Sequence, residues 1–239
     1  MIAAGHVVIP NFGGGGLHSC VRENRTFCTD WVRDNWSSVL WPALRQHVVL
    51  VAIAIAIGFA IALALALLAH HRGWVEGPVT LTTGVLYTIP SLALFQLLVP
   101  FTGLTRTTAE IALVSYTLLI LFRNILTGLR GVPEEVRDAA EGMGLSPGQI
   151  LWRVELPLAL PAIVAGLRIA TVTVISLATI AAFVDNEGLG APIFVAIQEN
   201  VFKTEIIAAG GLAILLAVLS DSALVLAQRA LTPWARRQA

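Results

Sequence analysis

The segment GVPEEVRDAAEGMGLSPGQILWRVELPLALPAI, from Gly131 to Ile163, carries the densest set of interpretable signals in the chain. Pro133 suits a first helical turn. Glu134 and Glu135 suit the positive end of the dipole of that helix. Gly144 suits a left-handed stop at its far end. Ser146, Pro147 and Gln149 then spell a capping box: Ser146 caps, Pro147 takes the first position, and Gln149 reaches back. A second short helix runs to about Glu155, after which Pro157 and Pro161 open an apolar stretch. The predicted device is a helix–elbow–helix. Ala139, Ala140, Gly142 and Gly144 are small enough for its first helix to seat closely in a groove. Asp138 and Glu141 place charge at its edge. This is the chemistry of mechanical docking, and an ordinary well-capped loop is the competing reading.

Other residues invite chemical readings singly. Asp185 and Glu187 form a negative lip for a cationic or zwitterionic solute, a contact for a binding protein, or solvated loop charge. Gly188 and Gly190 follow them. Pro90 breaks a helix beside a pathway or makes an ordinary kink, and Tyr87 and Gln96 are candidates to line the route. Arg168 is costly in hydrocarbon unless it pairs or reaches the interface; a place near the cytoplasmic boundary is the preferred reading, with Asp221 marking the inner end of another span. Cys20 and Cys28 allow one disulfide or two unpaired thiols. Their spacing with His18 does not match the common zinc pairs, so no metal is expected. Trp31, Trp36 and Trp41 fit an interfacial belt better than an aromatic site for a cation, because they do not share a helical face. Gly13–Gly16 has no strand–helix context and is no phosphate loop. His6 has no assigned role. With no Walker pattern, zinc-protease helix or serine elbow, the chain is expected to catalyse no bond chemistry and to bind no cofactor.

The elements that must position these residues are membrane spans. Of 239 residues, 56% are hydrophobic and 13% charged, where a soluble domain carries roughly 25% charged. Mean hydropathy is +0.81. Too little charge remains to cover a soluble surface. A formal net charge of zero argues against a nucleic-acid partner. A crossing needs about 20 apolar residues, and such runs lie at Val48–Ala69, Val79–Phe101, Thr107–Leu129, Leu156–Val184 and Ile206–Gln228. In the second run a kink or break is expected at Pro90 and an end at Pro100. The predicted fold is all-α, with about five transmembrane helices. Asp30 or Asp34 is expected to cap an N-terminal interfacial helix with Val32, Trp36, Leu40 and Leu44 on one face. The N-terminus is a poor secretory signal, so the first run stays as a span.

Arg72, Arg123, Arg130, Arg137, Arg153, Arg229, Arg236 and Arg237 fall on one side, against Arg22, Arg25, Arg33, Arg45, Arg106 and Lys203 on the other. The bias places the N-terminus outside and the C-terminus in the cytoplasm. The expected division is an extracytoplasmic arm over 1–46, a permease domain over 47–229 with its cytoplasmic loop at 131–157, and a tail over 230–239.

Asp138-Ala139-Ala140, Gly144 after three residues, and Val154 with Leu156-Pro157 after nine more resemble the EAA motif of ABC importer permeases. That motif reads Glu-Ala-Ala, three residues, Gly, nine residues, Ile-x-Leu-Pro. Asp here replaces the Glu and Val the Ile. The likeness extends from about Trp31 to Gln228. Thr88–Leu94, Arg123-Asn124, Thr127-Gly128, Gly166–Thr171 and Gly188-Leu189-Gly190 resemble the branch that imports glycine betaine, carnitine, choline and related osmoprotectants. One departure is Val184-Asp185-Asn186-Glu187-Gly188-Leu189-Gly190, where the branch shows Gly-Ala-Gly-Gly-Leu-Gly.

The resemblance implies a type I importer fold in the plasma membrane. It implies a coupling helix at Asp138–Gly144 and Pro157 that docks on an ATPase subunit, which would hold the ATP and magnesium. It also implies a second permease, same chain or paralogue, and an extracytoplasmic solute-binding protein. An ion-gradient-driven transporter would want acidic or His groups at span centres, which are almost free of them. A scaffold gives no reason for the capped loop.

Overall fold

The computed structural model describes residues 19–198 and 201–233. Gly13–Gly16, His6, His18, Arg236 and Arg237 lie outside the described residues. Among the described residues the regular elements are all helical: α1 (Ser19–Arg22), α2 (Thr29–Asp34), α3 (Trp41–His71), α4 (Glu76–Thr88), α5 (Ser91–Thr102), α6 (Arg106–Arg130), α7 (Glu134–Gly142), α8 (Pro147–Ile150), α9 (Leu156–Asp185), α10 (Gly190–Gln198) and α11 (Lys203–Leu231).

Four continuous helical stretches are long and apolar enough to cross a bilayer: Trp36–His71, Arg106–Arg130, Pro147–Asp185 and Lys203–Leu231. The pair α4 and α5 qualifies together as a fifth, bent by 100°. Pro90 makes this a break rather than a kink. It has no N–H to offer the preceding turn, and it drives the residue before it out of the helical region. Ile89 is accordingly extended, at φ −67° and ψ 128°. The hydroxyl of Tyr116 on α6 donates to the Ile89 carbonyl and satisfies it. Pro100 does not end α5 as expected. It removes only the bond to Gln96, and the helix runs on to Thr102, where the Gly103 N–H closes on the Val99 carbonyl at 2.8 Å.

α6 is the centre of the bundle. Half of its apolar window is buried, against 11% for α11, and its most extensive packing is on α9 and α3. Small residues allow that approach, as is usual between membrane helices. A Cβ on Gly166 of α9 would sit 2.5 Å from Asn124 Cβ on α6. Two apolar clusters stack along the bundle. Leu50, Phe95, Leu113 and Ala178 belong to one. Ala66, Phe122, Ile125, Leu151 and Ile163 belong to the other, which reaches the loop after α6.

The structure divides the amphipathic stretch Val32–Leu44. Val32 is on α2, while Trp36–Leu40 is a π-helical turn that runs directly into α3. Pro42, in the first turn of α3, cannot donate to the turn before it, which is where the ladder widens. Neither Asp30 nor Asp34 caps α2; Cys28 holds the cap position and makes no side-chain bond. Trp36 and Trp41 are exposed, but Trp31 is buried, with its ring edge-on to Phe202 at 5.2 Å. Cys20 and Cys28 are joined in a disulfide, Cα atoms 5.9 Å apart. Within that loop the Asn24 amide donates to the Val201 carbonyl at 3.2 Å and accepts from the Lys203 N–H at 3.1 Å. The arm is thereby tied to the connection into α11.

The elbow of the helix–elbow–helix lies between α7 and α8, over residues 143–146. α8 passes through a π-helical turn, Leu151–Glu155, into α9, with Pro157 in the first turn and Pro161 inside. Of the two readings of Arg168, the structure shows the pairing one. Its Nε and Nη2 donate to Asp221 Oδ1 and Oδ2 at 2.7 and 3.0 Å. This bidentate pair joins α9 to α11.

Candidate functional site

At one end of the bundle, α7 is held as a shaped projection. Pro133 is its cap residue rather than its first helical residue. Gly144 has φ +83°. The Gly144 N–H bonds the Glu141 carbonyl at 2.8 Å, and the Leu145 N–H bonds the Ala140 carbonyl at 3.2 Å. These are the two bonds of a Schellman stop. A Cβ on Gly144 would meet nothing within 4 Å, so the glycine is required by its backbone angle. The Ser146 and Gln149 capping box is complete. Ala140 faces inward, whereas Asp138, Ala139, Glu141 and Gly142 are exposed. Val136, Ala139 and Met143, three and four residues apart, offer one exposed apolar-to-small face, and Met143 is 74% exposed.

The underside of α7 carries residues that the sequence reading missed. Arg137 Nε lies 2.6 Å from Glu155 Oε1, and Arg137 Nη2 donates to the Leu129 carbonyl, near the end of α6, at 2.9 Å. Glu155, in the turn leading to α9, takes His70 Nε2 of α3 on its other oxygen at 2.9 Å. The Glu155 side chain is only 8% exposed. The carboxylate therefore joins α7 to α3 and to the head of α9, and Arg137 adds the tie to the end of α6. The available signal was a lone acid, Glu155, at the head of an apolar run.

Along the spans, Tyr87, Pro90 and Gln96 lie on the exposed face of the broken pair. Tyr87 meets the Tyr116 ring edge-on at 6.0 Å.

At the opposite end, the loop after α9 is clamped. Asp185 Oδ1 accepts from the Glu187 N–H at 3.1 Å. The Gly188 N–H donates to Gln46 Oε1 at 3.2 Å, and the Leu189 N–H to His47 Nδ1 at 3.3 Å. His47 Nε2 faces the Ile175 carbonyl at 3.1 Å. A carbonyl only accepts, so the proton sits on Nε2 and leaves Nδ1 free to accept from Leu189. Gly188 has φ +74°, and a Cβ on Gly190 would collide with the Thr179 carbonyl. Arg106 stands between two acids, 3.6 Å from Glu110 and 3.9 Å from Glu187. Beside it opens a cleft of about 440 Å³ lined by Trp41, Pro42, Arg45, Gln46, Val49, Arg106 and Glu187. Asp185 is not among the lining residues.

The family described as "binding-protein-dependent transport system inner membrane component" matches residues 52–237. The chain belongs to this family. The permease is 37% identical over 158 residues to the choline transport system permease protein of Bacillus subtilis, covering 66% of this chain and 72% of that one. It is 34% identical, over the same shares of the two chains, to the glycine betaine/carnitine/choline transport system permease protein of the same organism. Its fold matches the MetNI methionine ABC transporter solved in an inward-facing conformation, with a TM-score of 0.73 and 21% identity, covering 83% of the permease and 99% of that chain. The permease is thus an all-α, multi-pass membrane protein with the fold of an ABC importer subunit. The matched region begins inside α3; the disulfide loop and the head of α3 precede it.

Proposed function

We propose that this permease forms the pathway by which an ATP-driven importer carries a small osmoprotectant, a quaternary amine such as glycine betaine, carnitine or choline, inward across the plasma membrane. The observation that carries the reading is the build of α7. Its exposed face is small and apolar, its end is fixed by Gly144, and its underside is tied through Arg137 and Glu155 to three spans. A soluble motor pulling on α7 would move those spans together, and nucleotide would bias the equilibrium between outward-open and inward-open states. ATP and magnesium belong to separate ATPase subunits. A second permease, same chain or paralogue, and an extracytoplasmic solute-binding protein complete the assembly. The solute class is taken from the two Bacillus relatives.

The N-terminus is assigned outside and the C-terminus to the cytoplasm. A disulfide in the arm suits that side, where oxidising conditions preserve it.

The test replaces Gly144. A left-handed backbone costs a branched residue about 1–2 kcal/mol and an Asn less. Gly144→Val is expected to abolish uptake of glycine betaine in cells and to release the co-purifying ATPase, with membrane insertion intact. Gly144→Asn is expected to retain part of both. Full uptake by Gly144→Val would remove the coupling assignment.

A further inference from the structure

The outer cleft has the chemistry of a zwitterion site, and resting on the osmoprotectant reading above, we infer that it is a vestibule selective for quaternary amines that carry a carboxylate over those that do not. Trp41 and Glu187 take the trimethylammonium group, and Arg45 takes the carboxylate.

Four observations converge. First, the volume of about 440 Å³ falls in the range of roughly 300–1,000 Å³ typical of small-molecule sites. Second, Trp41 is 53% exposed on the same cleft as a carboxylate. An indole face and a carboxylate together suit a cation that cannot donate hydrogen bonds, because the ring attracts it through its quadrupole. Third, the two cationic lining residues differ. Arg106 is shared between Glu110 and Glu187 at 3.6 and 3.9 Å, while among the described residues no acid stands within ion-pair distance of Arg45. Arg45 is the uncommitted charge, and a guanidinium matches a carboxylate through two parallel N–H donors. Fourth, the two walls are joined: the Gly188 N–H donates to Gln46 Oε1 at 3.2 Å, which ties the loop carrying Glu187 to the head of α3 beside Arg45.

Glycine betaine and choline share the trimethylammonium group and differ at the other end, where one has a carboxylate and the other a hydroxyl. Arg45 can distinguish them; Trp41 and Glu187 cannot. The site is open to water, so the advantage is modest. An exposed ion pair of this kind gives a preference of about three- to fivefold.

The experiment uses the intact permease–ATPase complex in nanodiscs, without the binding protein, so that only the permease meets the solute. Glycine betaine and choline are titrated against intrinsic fluorescence, with Trp41→Phe isolating the Trp41 signal. Saturation transfer to the trimethyl protons gives a second readout independent of the indole. The expected result is saturable binding of both solutes, glycine betaine about three- to fivefold tighter. Arg45→Gln is expected to bring glycine betaine down to choline while choline is unchanged, Arg45→Lys to restore part of the difference, and Glu187→Gln to weaken both. The inference is overturned if neither solute binds saturably, or if Arg45→Gln leaves the ratio as it was. Uptake by the complete system separates the two levels: transport of quaternary amines with no binding in the cleft removes the vestibule alone, whereas no transport of any quaternary amine removes the osmoprotectant reading as well.

Discussion

Glu155 gives the sharpest prediction at the scale of single residues. Its carboxylate is nearly enclosed and faces Arg137 on one oxygen and His70 on the other. Glu155→Gln keeps the shape and removes the charge, leaving Arg137 without its ionic partner. The cost of such a loss is about 1–3 kcal/mol, which a membrane bundle survives. Uptake is expected to fall at least about tenfold, while ATPase activity in the purified complex persists and no longer responds to solute. Solute-responsive ATPase in that variant would show that Glu155 only steadies the loop. The local signals around it were legible because they act within a turn: Gly144 stops α7, and Ser146 and Gln149 close a box over three residues. Glu155 was not, because its partner His70 lies 85 residues away and no periodicity reports such a meeting. His47 was hidden for the same reason, with Ile175 and Leu189 as its distant partners.

At the scale of elements, hydropathy located all five apolar runs, because burial in lipid needs only length and composition. It did not locate the joints. The 100° bend at Pro90 follows from the missing N–H, but whether a proline kinks or breaks a span depends on what satisfies the freed groups, and here Tyr116 on another helix does so. The elbow between α7 and α8 was legible from Gly144 and Ser146, but the π-helical turn that carries α8 on into α9 without ending the helix at Pro157 was not. The Arg168–Asp221 pair is another such joint. α11 buries little of its apolar face, so this bidentate contact is expected to matter to how it docks. Asp221→Asn leaves Arg168 charged and half-paired, and the thermal midpoint of the detergent-solubilised protein is expected to drop by a few degrees. Replacing both, Arg168→Met with Asp221→Leu, is expected to recover most of the loss, because an apolar pair removes the unpaired charge along with its partner. A double variant no more stable than the single would mean that the pair sets helix register rather than stability.

At the scale of the whole molecule, the chain separates two kinds of surface to opposite ends. α7 and its Glu155 joint occupy one end of the bundle, and the disulfide loop, the clamped 185–190 segment and the charged cleft occupy the other. Composition made the membrane class legible, and the count of Arg and Lys gave an orientation, but only a modest one, because the arm itself carries Arg22, Arg25 and Arg33. The arrangement allows a decisive test of direction. Cys20 and Cys28 are the only cysteines in the sequence, so a third introduced at Met143, which is 74% exposed, is the sole free thiol while the disulfide stands. In intact cells an impermeant maleimide is expected to leave Met143→Cys unlabelled and to label it once the membrane is opened. After treatment with an impermeant reductant, the same reagent is expected to reach Cys20 and Cys28 from outside. Labelling of Met143→Cys in intact cells would reverse the orientation. It would place the coupling helix on the side without ATP, and the importer reading would fail with it, because a motor confined to the cytoplasm could not grip that face.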